Sequence, residues 1–347
     1  MALSTIRPST GFRNLIINGA MEISARGSSF TSVANAAYTL DRFTWYDTGA
    51  GVVDISQATD TPNGNFKNSL KVDVTTADSS LAAGDLYAII QNIEGTVSSH
   101  LGWGTSDAKN VTLSFWVKSP KTGTHSVAVQ NSAQNRSRSE EFTVSAANTW
   151  EYKVVSFVGD TSGTWLTTTG VGIRLAFPLA AGSTFTQAAG SWGTGNIYAS
   201  PNQVNCMDDA ANNFYITGIQ LEVGEVSDFE HRSYAEELNK SRRYYIKLLS
   251  NSTYDCYCDG FLWTATNSMM FVNFPQQMRA EPTLGSNGSF TVRTQGSDSA
   301  VSGIVVNRAF NDAMQIYVTH SSATLGQGGQ LGNNNDADAY LEFIAEL

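Results

Sequence analysis

The four histidines, His100, His125, His231 and His320, stand far apart along the chain. None belongs to an HExxH, a Gly-x-Ser-x-Gly or a phosphate-cradling glycine loop, so no metalloprotease, serine hydrolase or nucleotide signature is present. Glu140-Glu141 and Asp208-Asp209 are adjacent acids. A glycosidase needs two carboxyls about 5–10 Å apart across a cleft, which neighbours in sequence do not specify. Cys206, Cys256 and Cys258 cannot close a disulfide framework of pairs, and Cys256-x-Cys258 lacks the second ligand pair of a zinc site. The expectation is free thiols, no catalytic residue and no enzyme.

Sugar recognition asks for different side chains. An aromatic ring takes the apolar C–H face of a pyranose, and amides and charges take its hydroxyls. The run Val111-Thr112-Leu113-Ser114-Phe115-Trp116-Val117-Lys118 alternates cleanly. If Val111, Leu113, Phe115 and Val117 face a core, Trp116 points away, flanked by Ser114 and Lys118. By the same parity Ile173 and Leu175 turn Arg174 outward, and Val127 and Val129 turn Gln130 outward. Trp192 lies in the glycine-rich stretch Ser191-Trp192-Gly193-Thr194-Gly195. Trp116, Gln130, Arg174 and Trp192 are therefore the candidate glycan contacts, although consecutive strands can belong to opposite sheets. For each tryptophan two settings fit: an exposed platform, or burial beneath a loop or a neighbouring subunit.

Short strands must position these groups. Only 15% of the 347 residues are charged, and 30 are glycine. Such a composition, rich in hydroxyl and amide side chains, suits half-buried strands joined by tight turns. The net charge of −10 excludes a phosphate-driven nucleic-acid partner. No apolar run of about 18 residues marks a transmembrane helix, and the first residues lack the pattern of a secretory signal. No repeat of fixed period suggests a solenoid or propeller. Ser233-Tyr234-Ala235-Glu236 is a capping box, and Leu238, Tyr245 and Leu248 extend its helical stripe to about Leu249. The reading is all-β: a jelly-roll β-sandwich, a short helix, and a smaller C-terminal β-sandwich. Its boundaries are an N-terminal arm at 1–11, the jelly-roll at 12–230, a helical linker at 231–249 and a β-domain at 250–347. The stretch between Ala180 and Asn213 reads as one long loop, of the kind that is usually functional or mobile.

Several motifs resemble known families. Asn14-Leu15-x-x-Asn18-Gly19-x-x-Glu22 is similar to the first strand of carbohydrate-binding jelly-rolls of the family-4/9 type, and Leu113–Ser119 resembles their central strand. Ile219-Gln220-Leu221-Glu222-Val223-Gly224 followed by Phe229-Glu230-His231-Arg232 resembles the closing strand of bacteriophage tail and appendage proteins. Pro275-Gln276-Gln277-Met278-Arg279-Ala280-Glu281-Pro282 and the terminal Ala345-Glu346-Leu347 resemble the tip that follows it in those proteins.

The resemblance implies a structural, receptor-binding component of a phage tail fibre or appendage, made in the host cytoplasm and residing in the virion. It implies self-association, usually as a trimer, with other virion proteins and a host-surface glycan as further partners. Neither nucleic acid nor membrane insertion belongs to this reading. The alternatives are a purely architectural decoration protein and a glycan depolymerase. The resemblance further implies a structural calcium, held by a Glu of the opening strand and an acid of the closing one. Glu22 is in place, but Thr217 and Gly218 stand where the acid belongs, leaving Asp208 and Asp209 as substitutes for an ion that wants six to eight oxygens. No other cofactor is expected.

Overall fold

Alternation of β-branched and aromatic residues with polar ones runs through both halves of the chain, and almost every regular element is an antiparallel strand. The computed structural model describes residues 13–250 and 252–347. The expected arm at 1–11 lies outside them. The chain divides into two compact units between Arg232 and Ser233.

In the first unit the described strands are β1 (Ser29–Phe30), β2 (Thr44–Asp47), β3 (Val52–Ala58), β4 (Ser69–Thr76), β5 (Leu86–Glu94), β6 (Val111–Lys118), β7 (Gly123–Gln130), β8 (Ser137–Val144), β9 (Glu151–Phe157), β10 (Val171–Ala181) and β11 (Asn213–Val223). They form a six-stranded sheet in the order β1-β3-β4-β11-β6-β9 and a five-stranded sheet in the order β2-β5-β10-β7-β8. The crossed connections make it a jelly-roll sandwich. The core joins inward residues of both sheets: Val111, Leu113, Phe115 and Val117 of β6 are fully buried. The Phe115 ring meets Phe142 and Phe177 of the opposite sheet edge-on, at 5.0 and 5.2 Å.

The two outer faces differ. The long connection from 182 to 212 folds back over the five-stranded sheet, where Tyr198 packs with Leu86, Ala88, Ile90 and Ala176 in a small second core. The outer face of the six-stranded sheet is left to shorter segments.

The opening segment differs from the expected first strand. Residues 13–23 form no named strand, because side chains intercept the backbone bonds a ladder would use. Asn14 Oδ1 accepts from the Ile16 and Leu221 N–H groups, and Asn14 Nδ2 donates 2.9 Å to the Ile219 carbonyl. Asn18, at φ 61°, donates to the Ile23 and Asp41 carbonyls. Gly19 lies so close to β11 that a Cβ would stand 2.2 Å from the Ile219 carbonyl oxygen.

The second unit opens with the capping box: the Glu236 N–H donates to Ser233 Oγ, and the Ser233 N–H donates 2.9 Å to the Glu236 carboxylate. The helix covers Tyr234–Arg242 and stops short of the expected Leu249. Tyr245–Leu249 is instead a strand, β12, paired residue for residue with Tyr340–Ile344. A partner strand about a hundred residues away outweighs the local helical stripe. The other strands are β13 (Cys256–Thr264), β14 (Asn267–Asn273), β15 (Thr283–Asn287), β16 (Phe290–Thr294), β17 (Ser297–Ala309), β18 (Ala313–His320), β19 (Gly328–Asn333) and β20 (Tyr340–Ile344). β12-β20-β15 form a three-stranded sheet, and β13-β14-β18-β17-β16-β19 close into a barrel. The smaller sandwich expected here thus takes the form of a closed barrel and a sheet, which share one core through Ile246, Met270, Val292, Ile316, Leu341 and Phe343. The proline-flanked motif has a structural role. Met278 is fully buried, and Arg279 donates 2.8 and 2.7 Å to the Ala345 and Glu346 carbonyls.

Candidate functional site

β6 and β11 supply the floor of a cleft on the outer face of the six-stranded sheet. Parity puts Ser114, Trp116 and Lys118 on that face of β6, opposite the core residues. Along β11 the register slips: Thr217 lies opposite Trp116, but Gln220 lies opposite Ser114. The extra residue makes a bulge, and Gly218 sits in it at φ 62°. A Cβ there would stand 2.7 Å from the Phe66 ring and 3.2 Å from Trp116 Cδ1. The bare glycine therefore lets both rings close over the floor of a cavity of about 520 Å³.

One wall is the connection between β3 and β4. Asp60 anchors it, accepting 2.8 Å from Trp150 Nε1 and pairing with the Lys118 ammonium. Partial burial pushes the Asp60 carboxyl up, but the Lys118 and Trp150 bonds hold it below the ordinary carboxylate range. Thr217 Oγ1 donates 2.7 Å to the Asn68 carbonyl at the other end of the turn. So pinned, the connection presents the exposed amides of Asn63 and Asn65 and the inner ring of Phe66.

The adjoining wall is the segment after β11, whose course explains an otherwise odd observation. Gln220 and Glu222 point outward from the sheet yet are buried. The segment lies over them: Gln220 Oε1 accepts 2.7 Å from the Glu230 N–H, and Glu222 accepts from the Ser227 N–H and hydroxyl. Glu230 in turn accepts from the Arg13 and Asn14 N–H groups and from Arg232 at 2.9 Å. Burial pushes the Glu230 carboxyl up, but these donors hold it net below its usual value. The result is a rigid edge carrying Asp228, Phe229 and His231. The Phe229 ring meets Phe66 edge-on at 5.2 Å and the His231 ring at 4.8 Å. Tyr152 of β9 closes the far side. It lies opposite Trp116 in register, 5.3 Å ring to ring, and is 43% exposed.

This arrangement offers aromatic surfaces at floor and walls, with Asn63, Asn65, Ser114 and Asp228 as polar partners. Among the residues lining the cleft Asp228 is the one acid. The cleft thus holds a single carboxyl rather than the pair that glycosidic cleavage requires.

Of the residues picked from the sequence, Trp116 lies in the cleft. Gln130 and Arg174 do come together, opposite each other on β7 and β10, but in the other sheet. Gln130 is 0% exposed, because the long loop covers it and takes its amide at Asn196 and the Ile197 carbonyl. Arg174 donates to Asn92 Oδ1 and the Tyr198 hydroxyl. Trp192 is a packing residue: it meets Trp103 and Trp165 edge-on at 5.4 and 5.5 Å, and its indole N–H donates 2.8 Å to the Val158 carbonyl. Beside it Arg136 makes a two-pronged ion pair with the buried Asp160.

Sequence reasoning did not assign Phe66, Tyr152, Phe229, His231, Asn63, Asn65 or Asp228 to a site, although it read Phe229 and His231 as part of the closing motif. Tyr152 had a signal, since Val155 and Phe157 turn inward and parity puts Tyr152 out. The wall after β11 showed only as the motif Phe229-Glu230-His231-Arg232, and the wall of Asn63, Asn65 and Phe66 had no signal, because both belong to connections whose anchoring partners are remote in sequence.

The acids suggested for calcium already hold other partners. Asp208 accepts from Lys121 Nζ at 2.6 Å and from Asn212 Nδ2, and Asp209 accepts from the Ala211 N–H. Near Glu22 the carbonyls of Met21 and Glu22 accept from the Gln57 amide. Among the described residues no three His, Cys, Asp or Glu side chains gather as a metal site. Cys206, Cys256 and Cys258 are free thiols, and burial pushes Cys206 and Cys258 up to about 12.

No family model matches this chain, and no curated protein matches it. Among solved structures it overlays the enzymatically active domain of tailspike protein 4 of bacteriophage CBA120, at 14% identity and TM-score 0.32, over 56% of this chain and 22% of the tailspike. It overlays a putative sugar-binding protein from Bacteroides thetaiotaomicron at 13% identity and TM-score 0.33, over 61% of this chain and 100% of that one. The carbohydrate-binding module TmCBM61, in complex with beta-1,4-galactotriose, aligns at 11% identity and TM-score 0.31, again over 61% of this chain and 100% of its own.

Proposed function

We propose that the first domain binds a glycan in the cleft floored by Trp116, and that the chain serves a bacteriophage tail fibre or appendage in attachment to the host surface. The cleft itself carries this reading. Rings from Trp116, Tyr152, Phe66 and Phe229 converge with two exposed amides and one carboxylate around about 520 Å³. That volume lies within the roughly 300–1,000 Å³ of small-ligand sites. Aromatic faces take the C–H surface of a pyranose, while Asn63, Asn65 and Asp228 reach its hydroxyls. The virion setting is supported by the closing segment Phe229-Glu230-His231-Arg232 and by the Met278–Arg279 anchor, the motifs through which this chain resembles phage appendage proteins. A single shallow site binds weakly, and several copies on one particle turn weak binding into firm adsorption. With one carboxyl in the cleft, we assign it recognition and no hydrolysis.

The test is retention of the full chain on a panel of host-surface polysaccharides by affinity electrophoresis, beside Trp116→Ala and Tyr152→Ala. Retention lost in both variants, with unfolding midpoints unchanged, is the expected result. No retention on any polysaccharide in any assembly state would leave the architectural role. Release of reducing ends from a retained polysaccharide would replace binding with depolymerisation.

A further inference from the structure

On the basis of that glycan reading, we infer that the Trp116 cleft selects by charge. It takes a glycan bearing a cationic amine and rejects an acidic one, and Asp228 is the residue that makes the choice. Among the described residues no Lys or Arg lines the cleft, and Asp228 is its one acid. Asp228 is exposed, and no described cation pairs with its carboxylate. The cations nearby are committed elsewhere. Lys118 pairs with Asp60 behind one wall, and Arg232 pairs with Glu230 at 2.9 Å behind the other. Lys67 follows Phe66 in the chain but does not line the cleft. Glu222 lies buried beneath the wall that carries Asp228, and its carboxylate accepts from neutral donors: the Gln220 amide and the Ser227 N–H and hydroxyl. Two carboxylates of this wall thus lack a counter-charge.

The rings add to the same field, because an aromatic face is negative and attracts a cation. Outside the cleft this attraction is already used: Lys118 lies over the Tyr215 ring at 4.3 Å and over Trp150 at 5.7 Å. Trp116, Tyr152, Phe66 and Phe229 surround the cleft volume, and no described cation lies over any of them. An ammonium group entering the recess meets ring faces and a carboxylate together, and a partly dry recess strengthens both attractions. A uronate or a sugar phosphate meets repulsion from both, with only the Asn63 and Asn65 amides to donate to it. A neutral sugar keeps the stacking and the amide contacts but gains nothing from the charge. The net charge of −10 acts in the same sense at longer range, drawing cations to the surface and turning polyanions away.

The test is calorimetric titration of the full chain at low salt and mildly alkaline pH, where an imidazole is neutral. The probes are matched trimers: chitotriose trimethylated at every amine, whose positive charge is fixed, neutral cellotriose, and a β-1,4-linked triglucuronate. The trimethylated trimer should bind about tenfold more tightly than cellotriose, and the glucuronate most weakly. Asp228→Asn should bring the charged and neutral trimers within about threefold of each other, and added salt should narrow the gap in the same way. Trp116→Ala should weaken binding of every trimer. Equal affinity for the charged and neutral trimers overturns the inference and leaves the glycan reading standing. So does a preference that survives in Asp228→Asn or in Trp116→Ala, which would put the cation on the acidic surface outside the cleft. If no trimer binds, the charge selection falls, and retention on the polysaccharide panel decides the glycan reading separately.

Discussion

Two faces of this molecule expose aromatic rings, and they are built on opposite plans. In the first domain Trp116 and Tyr152 sit in a recess whose walls are held by side-chain hydrogen bonds and whose rim carries Asn63, Asn65 and Asp228. In the second, Phe261, Trp263 and Phe271 lie on the outside of a barrel among Met269, Tyr317 and Val305, in rows set by strand register. A sugar has both apolar faces and many hydroxyls, so a site for it needs rings and hydrogen-bonding groups within one recess. Ring count does not tell these faces apart; the neighbours of the rings do.

Substitutions can break this contrast at several points. The largest effect falls at Trp192, which looks like a platform in sequence and packs in a tryptophan cluster in the fold. Trp192→Ala should destabilise the first domain by about 3 kcal/mol, the low end for a large ring because it is only half-buried. Polysaccharide retention at a temperature well below the melting transition should survive. Trp116→Ala should do the reverse, weakening binding by tenfold or more, about 1.4 kcal/mol, with an unchanged denaturant midpoint. Gly218→Ala tests the floor. With φ at 62° and the Phe66 ring 2.7 Å from the new Cβ, it should cost about 1–2 kcal/mol and weaken binding several-fold by displacing the rings.

Acid sharpens the comparison by domain, since each carries a buried histidine. Burial holds His125 below its usual value, partly offset by the bond from Nε2 to the Lys121 carbonyl. Burial likewise lowers His320, whose Nε2 meets Ser268 Oγ at 2.9 Å. The unfolded chain takes up these protons near pH 6.5, and the folded one resists them. Stability should therefore be full above that pH and fall as the pH drops through it. His125→Gln should flatten the pH dependence of the first domain's unfolding, and His320→Gln that of the second. Smallest of all, Phe261→Ser should shift the second domain's own stability by about 0.5 kcal/mol or less, since the residue is exposed.

The all-β class was legible in the sequence, and so were the alternating runs. Val111–Lys118 predicts its own inward and outward faces, and β6 has them as read. The capping box at Ser233 was equally plain. Other elements gave no such sign. β19 reads Gly-Gly-Gln-Leu-Gly-Asn, with little intrinsic preference for a strand, and exists because β13 and β16 flank it. Parity found the correct side for Gln130 but could not show that the long loop covers that side.

What the sequence alone determined is therefore local: strand periodicity, the helix start, and the outward direction of Trp116. Such features depend on residues a few positions apart, through pleat geometry and backbone hydrogen bonding. Tertiary structure decided the rest. It set which outer face stays open, how the bulge at Gly218 makes room for two rings, and how Glu230, bound to the N–H groups of Arg13 and Asn14, fixes a wall of the cleft. Those outcomes depend on partners separated by as many as 217 residues. No window of sequence contains both members of such a pair, and only the closed sandwich brings them within hydrogen-bonding distance.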